Sequence, residues 1–422
     1  MEWLQNITLP QSLEHIELLQ YLLVISLFIF ISFVSIIFWG TGLSAFFKVS
    51  EKKYLDDKYR RIAKDIIEIV TINKSIGVIF GIVPLITLIL IFAQLFQSAA
   101  STNLDYLTAS LILLSVALFF IYDYRNSLSD LKELRLSSGI TGFIILFFAL
   151  WLFVAGITVA VFHGYWQPEG LFNDLLSSLV ITRFLFLFVA SLAVTGGAIL
   201  FGLFFPISSR EKPGNDYAQF VKSKMLIVTF AATVLLPLIM FANLVIVPDT
   251  SLSGAIFAYI IIGLFLLFLA YHFLYMIFVK FSSKFPALLF FSLLLMLLTV
   301  IINDKIIISN TTKVQSAVLA VEYDDLLAEL KGEDVAVALN GEEIYKVRCA
   351  SCHKFDVKLV GPPHNEVVPK YFGKEELLLA FIKNPTRIDE TYPAMPNPGL
   401  KPDEAKAVVD YVLEQVKKTI GQ

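Results

Sequence analysis

Charged side chains are scarce in this sequence, making up 16% of its 422 residues, against about 25% in soluble globular proteins. Apolar residues make up 57%. This composition excludes an ordinary soluble protein and indicates a membrane protein. The net charge is only −3, and nothing in its distribution indicates binding to nucleic acid.

Lysine and arginine are absent from Met1–Glu17. A cleavable signal peptide has a basic region at its start. We therefore expect the first apolar run to remain in the mature protein.

Apolar residues are concentrated in eight runs, most of them near the length of about 20 residues that a helix needs to cross a bilayer. The runs are Leu18–Phe47, Ser75–Gln97, Tyr106–Tyr122, Ile140–Phe162, Leu175–Phe205, Met225–Val247, Gly254–Val279 and Phe285–Asn303. We predict an all-α protein whose residues 1–305 form a polytopic transmembrane domain, an eight-span helix bundle. A linker at 306–339 and a water-soluble domain at 340–422 follow.

Basic residues lie in alternate loops between these runs, and Lys48–Lys74 alone carries eight. Further basic loops are 123–137, 207–224 and 280–284, whereas 98–105, 164–174 and 248–253 carry no lysine or arginine. Cationic loops are retained on the cytoplasmic side of a membrane. We predict that the N-terminus and the C-terminal domain lie on the periplasmic side of a bacterial inner membrane.

Two segments of the membrane domain resemble each other, Ile82–Ile86 and Leu235–Ile239, and both follow a basic loop. They suggest a four-plus-four repeat about an axis along the membrane normal. Chance similarity between apolar helices is the alternative.

Polar side chains at bilayer depth are costly and often functional. Arg183, Gln94 and Asn243 fall toward the outer ends of their runs. We consider them candidates for a quinone or partner site. The alternatives are an arginine that reaches the interface and amides that join neighbouring helices by hydrogen bonds.

The chain has only two cysteines, both in Cys349-Ala350-Ser351-Cys352-His353. Cys-x-x-Cys-His is the attachment motif for haem c, in which two thioethers hold the porphyrin and the histidine binds iron. A zinc site would need two further ligands, and no second cysteine pair is present. A thioredoxin-like dithiol would need a βαβ context that this segment lacks. We predict one covalent haem c, which also places the domain outside the cytoplasm.

Histidine is scarce, with five in the chain. His163 and His272 differ in predicted depth by roughly 27 Å, so they cannot share a b-type haem. Predicted runs also carry no carboxylate near their middle, which argues against a proton pump in this chain.

Apolar residues in Thr312–Leu330 recur at helical spacing before Gly332. They predict an amphipathic helix in the linker. We expect it to dock the C-terminal domain on the membrane domain or a partner, and a plain tether is the alternative.

Residues 340–422 resemble a class I (mono-haem) cytochrome c domain. The resemblance rests on the helix entering the motif, on Gly361-Pro362-Pro363, on Tyr392-Pro393-Ala394-Met395-Pro396 and on a closing helix from Lys401. It implies that the Pro362 carbonyl accepts the imidazole proton of His353. It also implies that Met395 is the sixth iron ligand.

Met395 is the only methionine of this domain, which supports its assignment from the residues alone. His364 is the alternative ligand. Histidine and methionine together raise the reduction potential compared with two nitrogen ligands. They also saturate the iron, so outer-sphere electron transfer is its expected chemistry.

These features favour a membrane-bound electron-transfer subunit of a respiratory or photosynthetic complex over a stand-alone enzyme. Expected partners are other subunits, soluble or membrane redox proteins and lipid. An alternative is a quinol-oxidising membrane enzyme that delivers electrons to its own haem. An oxidase-type membrane domain ranks last, because its haems would lack histidine ligands.

Overall fold

The computed structural model describes residues 9–96, 103–127, 135–162, 171–204, 215–247, 252–280, 282–331, 341–389, 391–393 and 395–420. The protein is 84% helical, and the described residues form no strand. The predicted all-α class is therefore confirmed. His163, Gly332, Ala394 and several loops of the predicted topology lie outside the described residues.

The chain forms two compact units, of which the first comprises Leu19–Thr311. The helices described up to Thr311 are α1 (Leu13–Tyr54), α2 (Asp57–Val70), α3 (Lys74–Leu95), α4 (Asn103–Asn126), α5 (Leu136–Val161), α6 (Leu171–Leu175), α7 (Ser178–Phe204), α8 (Asn215–Ile246), α9 (Gly254–Val279) and α10 (Lys284–Thr311). All except α2 and α6 are long and apolar enough to cross a membrane. The prediction of eight spans is confirmed.

The short helix α2 was not predicted, because it lies in the basic loop. It is amphipathic and buries Ile62, Ile66 and Val70, which recur every four residues on one helix face. Asp56 caps its N-terminus by accepting a hydrogen bond from the Lys58 amide at 2.9 Å.

The last span, α10, continues to Thr311, beyond the predicted end at Asn303. An apolar stretch, Ile306–Ile308, extends the buried face, since Ile307 and Ile308 are buried. The carboxylate that interrupts the run, Asp304, is neutralised by Arg183 at 2.6 Å. The charge of Asp304 is thus paired within the helix, although the sequence predicted that the span ends just before it.

Small residues let α7 pack closely against its neighbours, as is common between membrane helices. Gly196 leaves no room for a side chain, since an added Cβ would lie 2.0 Å from Thr229 Oγ1 of α8. Against α1, the Ser191 hydroxyl donates to Ser35 Oγ at 2.9 Å. Close approach and a hydroxyl contact thus fix α7 beside two other spans.

Prolines interrupt the backbone ladders of α3 and α8. Pro84 follows a π-helical turn at Val78–Ile82. Pro237 cannot donate to the Thr233 carbonyl one turn earlier, and the Tyr271 hydroxyl of α9 donates to that carbonyl at 2.8 Å. These interruptions fall in the two similar segments, but the four-plus-four repeat stays a prediction.

The second unit includes Thr312–Gln422. Its described helices are α11 (Lys313–Lys331), α12 (Gly341–Arg348), α13 (His364–Val367), α14 (Glu375–Lys383) and α15 (Pro402–Ile420), with a 3₁₀ turn at Pro369–Tyr371. Helix α11 lies where the sequence predicted a helix, at Thr312–Leu330. Its apolar burial is concentrated at Leu319, Ala320 and Val321, whereas Leu330 is exposed.

Helices α12 and α15 build the core of this unit. Tyr345 of α12 packs with Val408, Val409 and Val412 of α15. An added Cβ at Gly341 would lie 2.1 Å from the Ala407 carbonyl oxygen, so glycine permits the backbones to approach. This crossing fixes the position of the segment that follows α12.

Candidate haem-binding site

The cysteine motif forms a helical turn that continues from α12. The Cys349 amide donates to the Tyr345 carbonyl, and the His353 amide donates to the Cys349 carbonyl, both at 2.9 Å. The turn places the two thiols and the imidazole at one cavity.

This cavity, of about 480 Å³, gathers four of the predicted site residues: Cys349, Cys352, His353 and Met395. Thiols, an imidazole and a thioether are the groups that covalent attachment and axial ligation of haem c require. The donor set therefore fits the predicted cofactor.

Pro362, the fifth predicted residue, orients the imidazole. His353 Nδ1 donates to the Pro362 carbonyl at 3.1 Å, and since a carbonyl can only accept, the proton lies on Nδ1. Nε2 is thereby left as the metal-binding nitrogen. Burial lowers the pKa of His353, although the hydrogen bond to Pro362 opposes this shift, so the ring is held in its neutral, metal-binding form.

Gly361 determines how close the backbone comes to this ring. An added Cβ would lie 2.2 Å from His353 Cε1. The Gly361 amide donates to the Cys352 carbonyl at 2.9 Å. The loop therefore closes onto the motif and holds the ring against the backbone.

His364 stacks on His353, with ring centroids 4.8 Å apart and an interplanar angle of 13°. Burial and the neighbouring His353 lower the pKa of His364 to about 3. Its ring is absent from the described lining of the cavity. The geometry thus supports a packing role against the proximal ring rather than the alternative role as ligand.

The loop around Met395 is fixed on both sides. Lys358 Nζ lies 4.4 Å from the centroid of the Tyr392 ring, a cation–π contact. Beyond the methionine, Asn397 Nδ2 donates to the Lys383 carbonyl at 3.0 Å. These contacts hold the thioether at the cavity without a helix or strand.

Burial also governs the thiols. It raises the pKa of Cys349 to about 12, and the neighbouring Cys352 adds to the shift. The pKa of Cys352 is raised as well, again mainly by burial. Before the haem is attached, both thiols are therefore protonated at neutral pH.

Helix α11 contributes a wall of the cavity that the sequence did not reveal. Ala317 and Val318 line it, and Arg348 Nη2 lies 3.8 Å from Asp325 Oδ2 of α11. The helical spacing of the linker residues predicted a helix, but it did not indicate that this helix packs against the cysteine motif. The segment predicted as linker thus belongs to the site.

With the geometry established, comparison with known proteins identifies the domain. The cytochrome c family model matches residues 338–415. Cytochrome c-551 of Stutzerimonas stutzeri is 39% identical over 83 residues, which cover 18% of this chain and 79% of that protein. Cytochrome c-551 of Azotobacter vinelandii is 42% identical over 77 residues, covering 17% and 94%.

The chain belongs to the cytochrome c family. This membership rests on the C-terminal cytochrome domain, and no solved structure matches the chain. The predicted resemblance to class I cytochrome c is confirmed, as is the prediction of one covalently attached haem c. The bound haem supplies an iron that takes up and releases a single electron.

Replacing Val318 with aspartate is expected to lower the reduction potential of the cytochrome domain. A carboxylate at the cavity wall stabilises the more positive, oxidised iron, and a charge in a partly dry site shifts the potential by roughly tens of millivolts. A spectroelectrochemical titration of the full-length protein measures the shift.

The control for this prediction is Leu330→Asp, which adds the same charge on the same helix. Leu330 is 76% exposed, where solvent screens the charge. Equal shifts in the two variants would contradict a role of α11 as a wall of the haem cavity.

The predicted membrane residues are only partly brought together. Arg183 and Asn243 line one cavity of the membrane unit, together with Asp304. Gln94 is not part of the described lining, and its Oε1 is buried with no hydrogen-bond partner among the described residues. Sequence reasoning missed Asp304, which lies one residue past the predicted end of its run.

Proposed function

We propose that this protein is a membrane-bound electron-transfer subunit of a respiratory or photosynthetic complex, which passes single electrons on the periplasmic side. The supporting observation is the cavity that gathers Cys349, Cys352, His353 and Met395. With His353 and Met395 as its two protein ligands, the haem iron would have no open position for a substrate. Outer-sphere transfer of an electron is then its remaining chemistry.

The membrane unit supports a place inside a larger complex. One span is enough to anchor a cytochrome, whereas the described residues include eight candidate spans. Only 22% of the most apolar 18-residue segment of helix α9 is buried. Ile261, Phe265 and Phe268 of this helix are each more than half exposed. Such a surface fits lipid or the apolar spans of other subunits.

The proposal predicts one haem c per chain and no b-type haem. Purified full-length protein is denatured in alkaline pyridine, and its haemochrome spectrum is compared with the protein concentration. Reduced protein exposed to carbon monoxide is expected to show no ligand binding, because the iron is saturated. A b-type signal, or binding of carbon monoxide, would count against the proposal.

The periplasmic side is supported by the basic loops and predicts a labelling pattern. Gly254→Cys, at the start of α9, is expected to react with a membrane-impermeant maleimide in intact cells. Lys53→Cys, at the end of α1, is expected to react only after permeabilisation. Both positions are exposed, so the reverse pattern would place the cytochrome domain on the cytoplasmic side.

A further inference from the structure

The membrane unit contains a cavity lined by spans α1, α5, α7, α8, α9 and α10, with about 1050 Å³ of empty space when open solvent is included. Its wall is mostly apolar, with Leu27, Phe153, Leu187, Ile260 and Leu297 among the lining residues. Apolar walls with a few polar groups are typical of small-molecule sites. The lining is thus that of a site for a lipophilic molecule.

Its polar groups are a short ion pair and a buried amide. Arg183 Nη2 lies 2.6 Å from Asp304 Oδ2, and these side chains are only 14% and 19% exposed. Asn303 is 8% exposed, and its Oδ1 has no hydrogen-bond partner among the described residues. An unsatisfied buried acceptor costs free energy, and a hydroxyl donor would relieve that cost.

Asn243 has a different role. Its Nδ2 donates to the Ile239 carbonyl at 3.0 Å and to the Thr182 carbonyl at 3.4 Å. The amide therefore joins α8 to α7, as the structural alternative for this residue predicted. It supports the cavity wall, while the other polar groups remain for a ligand.

All these polar groups lie at one end of the bundle. Arg183 is in the second turn of α7, Asn243 is in the last turn of α8, and Asp304 is in the last two turns of α10. Consecutive spans run in opposite directions, so the start of α7 and the ends of α8 and α10 share one end. A ligand would place its polar head near this membrane surface and its apolar part toward the centre.

We propose that this cavity binds a lipid-soluble quinone or its quinol. Asp304 neutralises Arg183, so the site offers no net positive charge to a phosphate head group. It offers a guanidinium as donor, and a carboxylate and an amide oxygen as acceptors. A quinone carbonyl can accept and a quinol hydroxyl can donate, and a prenyl chain matches the apolar wall. This inference goes beyond the electron-transfer role and does not depend on it.

Photolabelling tests the proposal on full-length, haem-loaded protein in nanodiscs of phosphatidylethanolamine and phosphatidylglycerol. A photoreactive azido-ubiquinone is expected to label segments that line the cavity, and ubiquinone-2 is expected to compete. Ile260→Trp fills the cavity while keeping the ion pair, and should reduce labelling about tenfold. Phe268→Trp, on the exposed face of the same helix, should leave it unchanged.

A second pair of variants tests the polar groups. Asp304→Asn removes the negative charge that compensates Arg183 and replaces one acceptor oxygen by an amide donor, and is expected to weaken competition by ubiquinone-2 about tenfold. Asp216→Asn removes the carboxylate of another ion pair, with Lys58 at 2.6 Å, away from the cavity, and should have no effect. An unchanged far-UV circular dichroism spectrum and a single gel-filtration peak show that the membrane unit of each variant folds.

Two outcomes would overturn the quinone site. One is equal labelling of Ile260→Trp and the unaltered protein. The other is native mass spectrometry that finds a phospholipid retained through Arg183, with no competable quinone labelling. Neither readout passes through the haem, so a failure here is distinguishable from a failure of the electron-transfer proposal.

Discussion

Replacing Gly341 with alanine is expected to destabilise the cytochrome domain by about 3 kcal/mol, since overpacking a helix contact costs about that much. The added Cβ would lie 2.1 Å from the carbonyl oxygen and 2.8 Å from the carbonyl carbon of Ala407. Both are backbone atoms and cannot rotate away. Alanine gains about 1 kcal/mol of helix propensity over glycine, which is too little to offset the clash.

The measurement is denaturant unfolding of the full-length protein, followed by the Soret band so that only the haem-bearing unit is reported. Separation of α12 from α15 would also disturb Tyr345, whose hydroxyl donates to the His353 carbonyl at 3.2 Å. We therefore expect the unfolding transition that the Soret band follows to have its midpoint at a lower denaturant concentration in the variant.

Gly373→Ala is the matched control within the same domain. An added Cβ there meets nothing within 4 Å, but the backbone φ of +69° disfavours a side chain. Strain alone costs about 1 kcal/mol. An equal loss of stability in the two variants would contradict the argument that the helix crossing at Gly341 depends on close backbone contact.

The membrane spans were predictable because a bilayer imposes one strong requirement, a long apolar helix. That requirement says little about where a helix ends. Span α10 continues through Asp304, and the reason is an ion pair with Arg183, 121 residues away in sequence. No local pattern carries information about such a partner. Helix α2 was not predicted either, because its many charged residues are typical of a loop between spans.

The haem site was predictable for a different reason. Attachment chemistry fixes the spacing of Cys349, Cys352 and His353, and the Gly-Pro turn that orients the ring is close in sequence. The wall formed by Val318 was not predictable, because it depends on how α11 packs against α12. Local chemistry could thus be read from the sequence, whereas packing between distant segments could not.

The two cavities give the eight spans a common interpretation. One gathers the haem-binding residues, and the other is the proposed quinone site. The last span, α10, carries Asp304 of the membrane cavity, and the next helix, α11, carries Val318 of the haem cavity. The proposed quinone site and the haem site thus receive residues from consecutive helices of one polypeptide.

Replacing Met395 with leucine is expected to lower the reduction potential by roughly a hundred millivolts or more, because axial ligands set haem potentials over about 0.8 V. Leucine fills a similar volume but offers no lone pair to the iron. Cyanide and imidazole are then expected to bind, whereas they do not compete well with a bound thioether. Titrations of potential and of ligand binding on the full-length protein measure both effects.

Comparison of Met395→Leu with Met395→Ala separates ligation from packing. If the thioether binds the iron, both variants lose the methionine-to-iron charge-transfer band and both fall in potential, since each lacks the sulfur. If Met395 only fills space at the cavity, leucine should behave like the unaltered protein and alanine alone should differ. His364→Leu completes the set: it is expected to retain the band, because the ring of His364 stacks behind His353. Absence of the band from the unaltered protein, together with binding of cyanide and imidazole only in His364→Leu, would transfer the sixth position from Met395 to His364.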